Sequence, residues 1–216
     1  MTSVNPSRIG AIILAAGRAS RFGRAKQLLE LDGESLLDRA CRLAGEAGCE
    51  PVLRVLGART DEILARPCAG SVTTLVHADW EQGMGSSLAA GMRRMQETDP
   101  SLEAVLVMLC DQPGVEVGLL KELLGACGPG GVSIALSDAG GATGPPAVFG
   151  REHFAELAEL KGDRGAKVIA GTHPDKVRLV EFPAGSDVDS EEEWERFLKE
   201  RRPDETASTF EDEIGR

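Results

Sequence analysis

Two glycines, three arginines and a lysine follow the first apolar run of this chain within a dozen residues. Ile12-Ile13-Leu14-Ala15-Ala16 leads into Gly17-Arg18-Ala19-Ser20-Arg21-Phe22-Gly23-Arg24-Ala25-Lys26. Small residues after a buried strand let main-chain N–H groups approach an anion, and glycine permits the angles that turn them toward one point. Arg21 and Lys26 add mobile positive charge, so a polyphosphate would meet both fixed and mobile donors. Leu14, Ala15, Ala16 and Gly17 are therefore candidate nucleotide-binding residues, with Arg21 and Lys26 as the catalytic cations. The glycines alone also suit an ordinary strand-to-helix turn with solvated arginines. Neither the Gly-x-Gly-x-x-Gly dinucleotide fingerprint nor the P-loop pattern is present.

The acids that would complete such a site lie far downstream. Ala104 to Leu109 reads as a buried strand, and Cys110-Asp111-Gln112-Pro113 stands at its carboxyl end, where an acid faces the site in an open α/β sheet. Asp111 suits Mg²⁺, a hard cation that takes one or two carboxylates plus phosphate oxygens and water; a helix N-cap before Val115 is the other reading. In Asp187-Val188-Asp189-Ser190 the aspartates alternate across a strand end so that one can face the site, and Asp189 is the expected second Mg²⁺ ligand. Ser190 and Glu193 form a capping box for the last helix.

Between these segments, Trp80-Glu81-Gln82-Gly83-Met84-Gly85-Ser86-Ser87-Leu88 opens a helix. One reading is a Gly-rich turn with Ser86 or Ser87 as cap. The other uses helix-start amides and a serine hydroxyl to read the edge of a small planar base, with Gly83 and Gly85 leaving room for it. His77 reads as a strand-end residue, because no second histidine stands at metal-ligand spacing.

Positioning these groups falls to short Val/Ile/Leu-rich runs alternating with helical patterns, as βαβ units do. Strands are predicted near 8–14, 51–56, 72–76, 104–109, 132–136, 146–149 and 177–181. Helices are predicted near 35–47, 60–64, 86–96, 116–126, 151–159, 165–170 and 191–201, with Ser35 capping the first. Right-handed crossovers then give a Rossmann-like three-layer α/β/α sandwich with a mostly parallel, twisted sheet and ligands at the strands' carboxyl ends. Residues 1–201 are expected to form one domain and 202–216 an acidic, disordered tail.

Composition narrows the class. The 216 residues carry a formal charge of −11, which argues against a nucleic-acid binder. Much of the excess is local, with twelve acids against five bases from Asp187 onward, so the body can still hold a basic pocket. Five cysteines without close pairing fit reduced thiols in a cytoplasmic protein. No secretory signal or membrane-length apolar run stands out, and the expectation is a soluble chain with no membrane partner.

Leu14-Ala15-Ala16-Gly17, Arg21, Phe22, Gly23, Lys26 and Leu28-Leu29 resemble the Leu-Ala-Ala-Gly-x-x-x-Arg-Met-Gly and Lys-x-Leu signature of sugar-phosphate and cofactor nucleotidyltransferases. The stretch from Trp80 to Gly91 is similar to the Trp-x-x-Gly-Met-x-Ser-Ser-Leu-x-x-Gly segment of the molybdenum cofactor cytidylyltransferase relatives. By that resemblance Gly83, Ser86 and Ser87 border the base and ribose pocket, and the Asp-x-Pro at Asp111 is the metal-binding element. Gly144-Pro145-Pro146 stands where relatives carry Gly-His-Pro or Gly-Asn-Pro, at an edge that by resemblance faces the acceptor. Gly162-Asp163-Arg164-Gly165-Ala166-Lys167 is similar to Gly-Asp-x-Gly-Ala-Arg. Gly144, Pro145 and Lys167 are thus candidate acceptor-binding residues, though Asp163 also suits a helix cap.

The resemblance implies transfer of CMP from CTP to the terminal phosphate of a molybdopterin-type cofactor, with Mg²⁺ and release of pyrophosphate. Ala15-Ala16-Gly17, in place of Ala-Gly-Gly, is nearer the cytidylyl than the guanylyl branch. A GTP-using guanylyltransferase is the nearest alternative. A nucleotide- or dinucleotide-binding relative acting as cofactor chaperone or oxidoreductase is another. The implied partners are CTP or GTP, a phosphate-bearing pterin, and a receiving molybdoenzyme or chaperone.

Overall fold

The computed structural model describes residues 8–18, 22–66, 68, 70–127, 132–182 and 187–201. The predicted tail, 202–216, lies outside them. In chain order the strands are β1 (Ile9–Ala15), β2 (Glu30–Leu31), β3 (Glu34–Ser35), β4 (Val52–Leu56), β5 (Val72–Val76), β6 (Ala104–Leu109), β7 (Ile134–Ala139), β8 (Ala142–Gly150) and β9 (Val177–Glu181). The α-helices are α1 (Leu36–Glu46), α2 (Thr60–Leu64), α3 (Met84–Thr98), α4 (Val117–Ala126), α5 (Phe154–Ala158), α6 (Lys167–Thr172) and α7 (Glu191–Arg201).

Seven strands form one sheet in the order β5-β4-β1-β6-β8-β7-β9, with β8 running against both neighbours and the rest parallel. Alternation along β1 sends Ala11, Ile13 and Ala15 to one face and Ile12 and Leu14 to the other. The first face packs on α1 and α4 through Leu37, Ala40, Leu120 and Leu123. On the second, Leu88, Met92 and Met95 of α3 and Ile169 of α6 cover Ile12 and Leu14. Helices therefore sandwich the sheet, as the element pattern predicts. Gly91 brings α3 close to the sheet: a Cβ there would stand 3.0 Å from Val55 and 3.1 Å from Ile12.

The caps predicted at Ser35 and Ser190 form. Ser35 Oγ accepts from the Asp38 amide at 3.1 Å, starting α1. At α7 the Glu193 amide donates to Ser190 Oγ at 3.2 Å, and Glu193 Oε2 accepts from the Ser190 and Asp189 amides at 3.0 and 2.7 Å.

The β7–β8 region departs from expectation. The strand predicted at 146–149 begins already at Ala142, joined to β7 by a tight turn with Gly140 at φ 69° and Gly141 at φ 100°. Positive φ at both turn positions matches the twist of a two-residue hairpin. Pro145 and Pro146 fit inside β8 because the register shifts opposite them, between Leu136 and Ser137, so no ladder donor is demanded there.

Candidate active site

A cleft of about 410 Å³ opens at the carboxyl ends of β1 and β6. Leu14, Ala15, Ala16 and Gly17 form one wall. Three successive carbonyls of that turn are tied back: Ala15 O and Gly17 O accept from Gln27 Nε2 at 3.0 Å each, and Ala16 O accepts from the Ala58 amide at 3.0 Å. Gln27 is 1% exposed, and it adjoins the predicted cation without having been read as part of the site.

Lys26 and Asp111 meet across this cleft, as the proposed site requires. The ammonium pairs with Asp111 Oδ2 and donates to Asp189 Oδ1 at 2.9 Å. Burial alone would lower the lysine's pKa; the Asp111 charge and hydrogen bond, aided by Asp189, outweigh it and hold the ammonium above its usual value. Asp111 Oδ1 is buried without a hydrogen-bond partner. A carboxylate oxygen in that condition is costly unless a cation takes it up.

Asp187 is the acid that the alternation argument missed. Residues 187–189 are not a strand end. Val188 is buried beside Phe22, Leu29 and Trp194, and its amide donates to Asp111 O at 2.9 Å. Residues two apart in extended chain share a face whether or not they belong to a strand, so with Val188 turned inward Asp187 and Asp189 both line the cleft. Gln112 Nε2 holds Asp187 Oδ1 at 2.9 Å. Burial, then the Asp111 charge, push the Asp187 carboxyl above its ordinary pKa.

Where it is described, the cleft is acidic. Among the described residues lining the cleft, Lys26 faces five carboxylates: Glu81, Asp111, Asp163, Asp187 and Asp189. Arg18 lies over the Trp80 ring at 5.2 Å and pairs with Glu81, while Arg24 pairs with Glu191 at 2.6 Å. Arg21 lies outside the described residues. Cys110 lines the cleft, but burial raises its thiol well above the ordinary value, leaving it inert packing.

The helix-start segment divides. Gly83 and Ser87 line the cleft, as does Trp80. Ser86 does not: its hydroxyl donates to Gly83 O at 2.8 Å and lies 3.1 Å from His77 Nε2. Neither serine caps α3, whose cap position is Gly83. Nor do Gly83 and Gly85 leave room for a base. A Cβ at Gly83 would stand 2.4 Å from the Gly162 carbonyl carbon, and one at Gly85 2.5 Å from Arg164 O. Their bareness admits the 162–164 loop, whose Gly162 O accepts from the Gly85 amide at 2.8 Å. Asp163 does not cap α6, which starts after Ala166 without a side-chain cap.

Gly144, Pro145 and Lys167 come together in a smaller, mainly apolar hollow of about 120 Å³, walled also by Val107, Leu136 and Phe149. Leu14 and Met84 line both hollows, so the second adjoins the first. Gln112 Nε2 donates to Pro145 O at 2.9 Å as well as to Asp187, linking the two.

Comparison with known proteins decides the family: residues 11–177 match the MobA-like NTP transferase domain. The chain belongs to that family. Its α/β fold and family membership make it an enzyme of the nucleotidyltransferase kind. It is 33% identical over 203 residues to nicotine blue oxidoreductase of Paenarthrobacter nicotinovorans, covering 88% of this chain and 96% of that protein. It is 28% identical over 210 residues to a probable molybdenum cofactor guanylyltransferase of Opitutus terrae, covering 94% and 95%. Rv0371c of Mycobacterium tuberculosis superposes with a TM-score of 0.78 at 29% identity, over 91% of this chain and all of that one. A complex of Rv0371c with manganese superposes at 0.74 and 27%, over 89% and 99%. No helix among the described residues is long and apolar enough to cross a membrane.

Proposed function

We propose that this MobA-like NTP transferase moves CMP from CTP to the terminal phosphate of a molybdopterin-type molybdenum cofactor, releasing pyrophosphate. The observation that carries the transferase chemistry is the convergence of Lys26, Asp111, Asp187 and Asp189 beside the Ala15–Gly17 turn. A triphosphate entering a cleft with this surplus of carboxylates needs a divalent cation as escort. The buried, unpartnered Asp111 Oδ1 fits a hard metal, and Asp111 and Asp189 would hold Mg²⁺. When bound, Mg²⁺ supplies charge neutralisation to the phosphates. The relative bound to manganese supports a divalent ion in this family.

The protein's own residues do the rest. An acceptor phosphate oxygen is already anionic, so attack on the α-phosphorus needs no general base. One P–O bond forms, the bond to the β-phosphate oxygen breaks, and pyrophosphate leaves with that electron pair. Lys26, the cation that pairs with Asp111 and Asp189, would neutralise charge on the leaving pyrophosphate. Gln27 holds the turn's carbonyls away from the phosphates, and the cleft aligns donor with acceptor. The hollow beside Pro145 and Lys167 would take the pterin end, packing its ring against apolar walls.

The choice of CTP and of the molybdenum cofactor rests on the Ala15-Ala16-Gly17 pattern and the Trp80–Gly91 resemblance. The Opitutus relative supports GTP as the alternative, and the Paenarthrobacter one supports an oxidoreductase using the same cleft. The test is pyrophosphate release from purified protein with molybdenum cofactor and CTP or GTP, with and without Mg²⁺, beside calorimetry with NADH. Mg²⁺-dependent release with CTP is expected. Metal-independent NADH binding without CTP binding would replace the transferase reading.

A further inference from the structure

Two of the chain's three histidines meet away from the nucleotide cleft. His153 closes the turn that follows β8, Glu156 lies three residues on in α5, and His173 lies just past α6. β8 runs antiparallel to β6, and its last residue, Gly150, pairs with Ala104 at the start of β6. Asp111 follows the opposite end of that strand, so the length of β6 separates the two places.

The contacts here fit a metal-ligand tautomer. Ser133 Oγ lies 3.1 Å from Glu152 Oε1 and 2.9 Å from His153 Nε2. With the Ser133 proton directed at Glu152, its oxygen accepts from Nε2–H and Nδ1 turns a lone pair toward Glu156 Oε1, 3.1 Å away; with the opposite tautomer, Nδ1–H donates to Glu156. The first arrangement is the one a cation between Nδ1 and the carboxylate would select. His173 Nε2 reaches the same carboxylate, 2.9 Å from Oε1 and 3.1 Å from Oε2. The His153 side chain is 1% exposed, so the cluster is anchored in the protein interior.

We propose that His153 Nδ1, His173 Nε2 and Glu156 bind one divalent transition-metal ion of the zinc class, as a structural site. Two imidazole nitrogens and a carboxylate are a borderline-metal ligand set, with solvent at partly exposed Glu156 and His173 free to supply a fourth ligand. The candidate ligand atoms lie within 4.8 Å of one another. Tetrahedral ligands at about 2.0–2.1 Å from a metal stand roughly 3.3 Å apart, so small side-chain movements suffice. The supporting shell is also in place: Nε2 of His153 donates to Ser133, and Ser133 to Glu152, which Lys176 pairs with. Such an ion would join the start of α5 to the chain between α6 and β9. It would anchor the far end of α6, whose first residue, Lys167, lines the small hollow.

The test strips the full-length protein with chelator and titrates it with Co²⁺ in excess Mg²⁺, which occupies the cleft carboxylates. Visible absorption and calorimetry are read together. One equivalent of Co²⁺ with a visible d–d band, displaced by Zn²⁺, is expected. His153 is core, so H173N and E156Q are the variants, with circular dichroism checking their fold. Each is expected to weaken Co²⁺ binding at least about tenfold. Wild-type protein that binds no Co²⁺ under these conditions, with His153 doubly protonated by nitrogen NMR, would overturn the proposal. Equal Co²⁺ affinity in wild type and H173N would overturn it too.

Discussion

Two hollows share Leu14 and Met84 as a common wall, and they are chemically opposite. The larger is ringed by carboxylates around one half-buried lysine; the smaller is lined by Val107, Leu136, Phe149 and two adjacent backbone positions, Gly144 and Pro145. The contrast separates two tasks. Handling phosphate charge needs groups that change partners, and Lys26 is held by two acids that a metal would take from it. Holding a flat ring needs fixed, apolar walls. Gln112 bonds both sides, to Asp187 and to Pro145 O, so one side chain sets their spacing.

Substitutions on the two sides should therefore separate chemistry from acceptor recognition. The largest effect is expected from Asp111→Asn, which keeps the shape but removes the charge on which both the metal and Lys26 depend. Pyrophosphate release should fall on the order of 10³-fold with circular dichroism unchanged, and a variant retaining most activity would move the chemistry elsewhere. Lys26→Met should cost roughly 10²-fold in kcat, because leaving-group charge loses a positioned donor. If instead only the nucleotide KM rises, Lys26 binds ground state and transition state alike.

On the apolar side, Lys167→Ala should raise the acceptor KM by about tenfold, one lost charged contact, while leaving nucleotide affinity measured by calorimetry unchanged. Equal loss for both substrates would erase the distinction between the hollows. The smallest effect concerns Asp187→Asn. Because the Asp187 pKa is raised in the folded state, the folded chain retains a proton that the unfolded chain releases. Stability is therefore lost as pH rises from the ordinary carboxylate value through the raised one. The gain of D187N over wild type in urea midpoint should grow across that window and level off above it. A difference independent of pH would place the Asp187 effect in its bond to Gln112.

Much of the fold was legible because its signals are local. The apolar runs at β1, β4, β5 and β6 and the caps at Ser35 and Ser190 lie where the pattern put them. The start of β8 at Ala142, four residues before the predicted strand, depends on the register shift against β7 that accommodates Pro145 and Pro146, which no local pattern announces. Ser86 and Ser87 show the limit within one motif. They are adjacent in sequence, yet one lines the cleft and the other bonds His77, because helix geometry turns neighbours about 100° apart.

Residue types and order alone pointed to a small-residue turn, Lys26 and the aspartates at 111 and 189 as parts of one nucleotide-handling chain. Those features are encoded in short stretches with their own physical meaning. Tertiary structure decided which groups share the cleft: that Asp187 joins Asp189, that Gln27 braces the turn, and that Gly83 and Gly85 admit a loop instead of a base. It also brought His153 and His173 to one carboxylate across twenty residues of chain. The cause is the same throughout. Charge and packing act through space over a few ångströms, and sequence separation carries no measure of that distance.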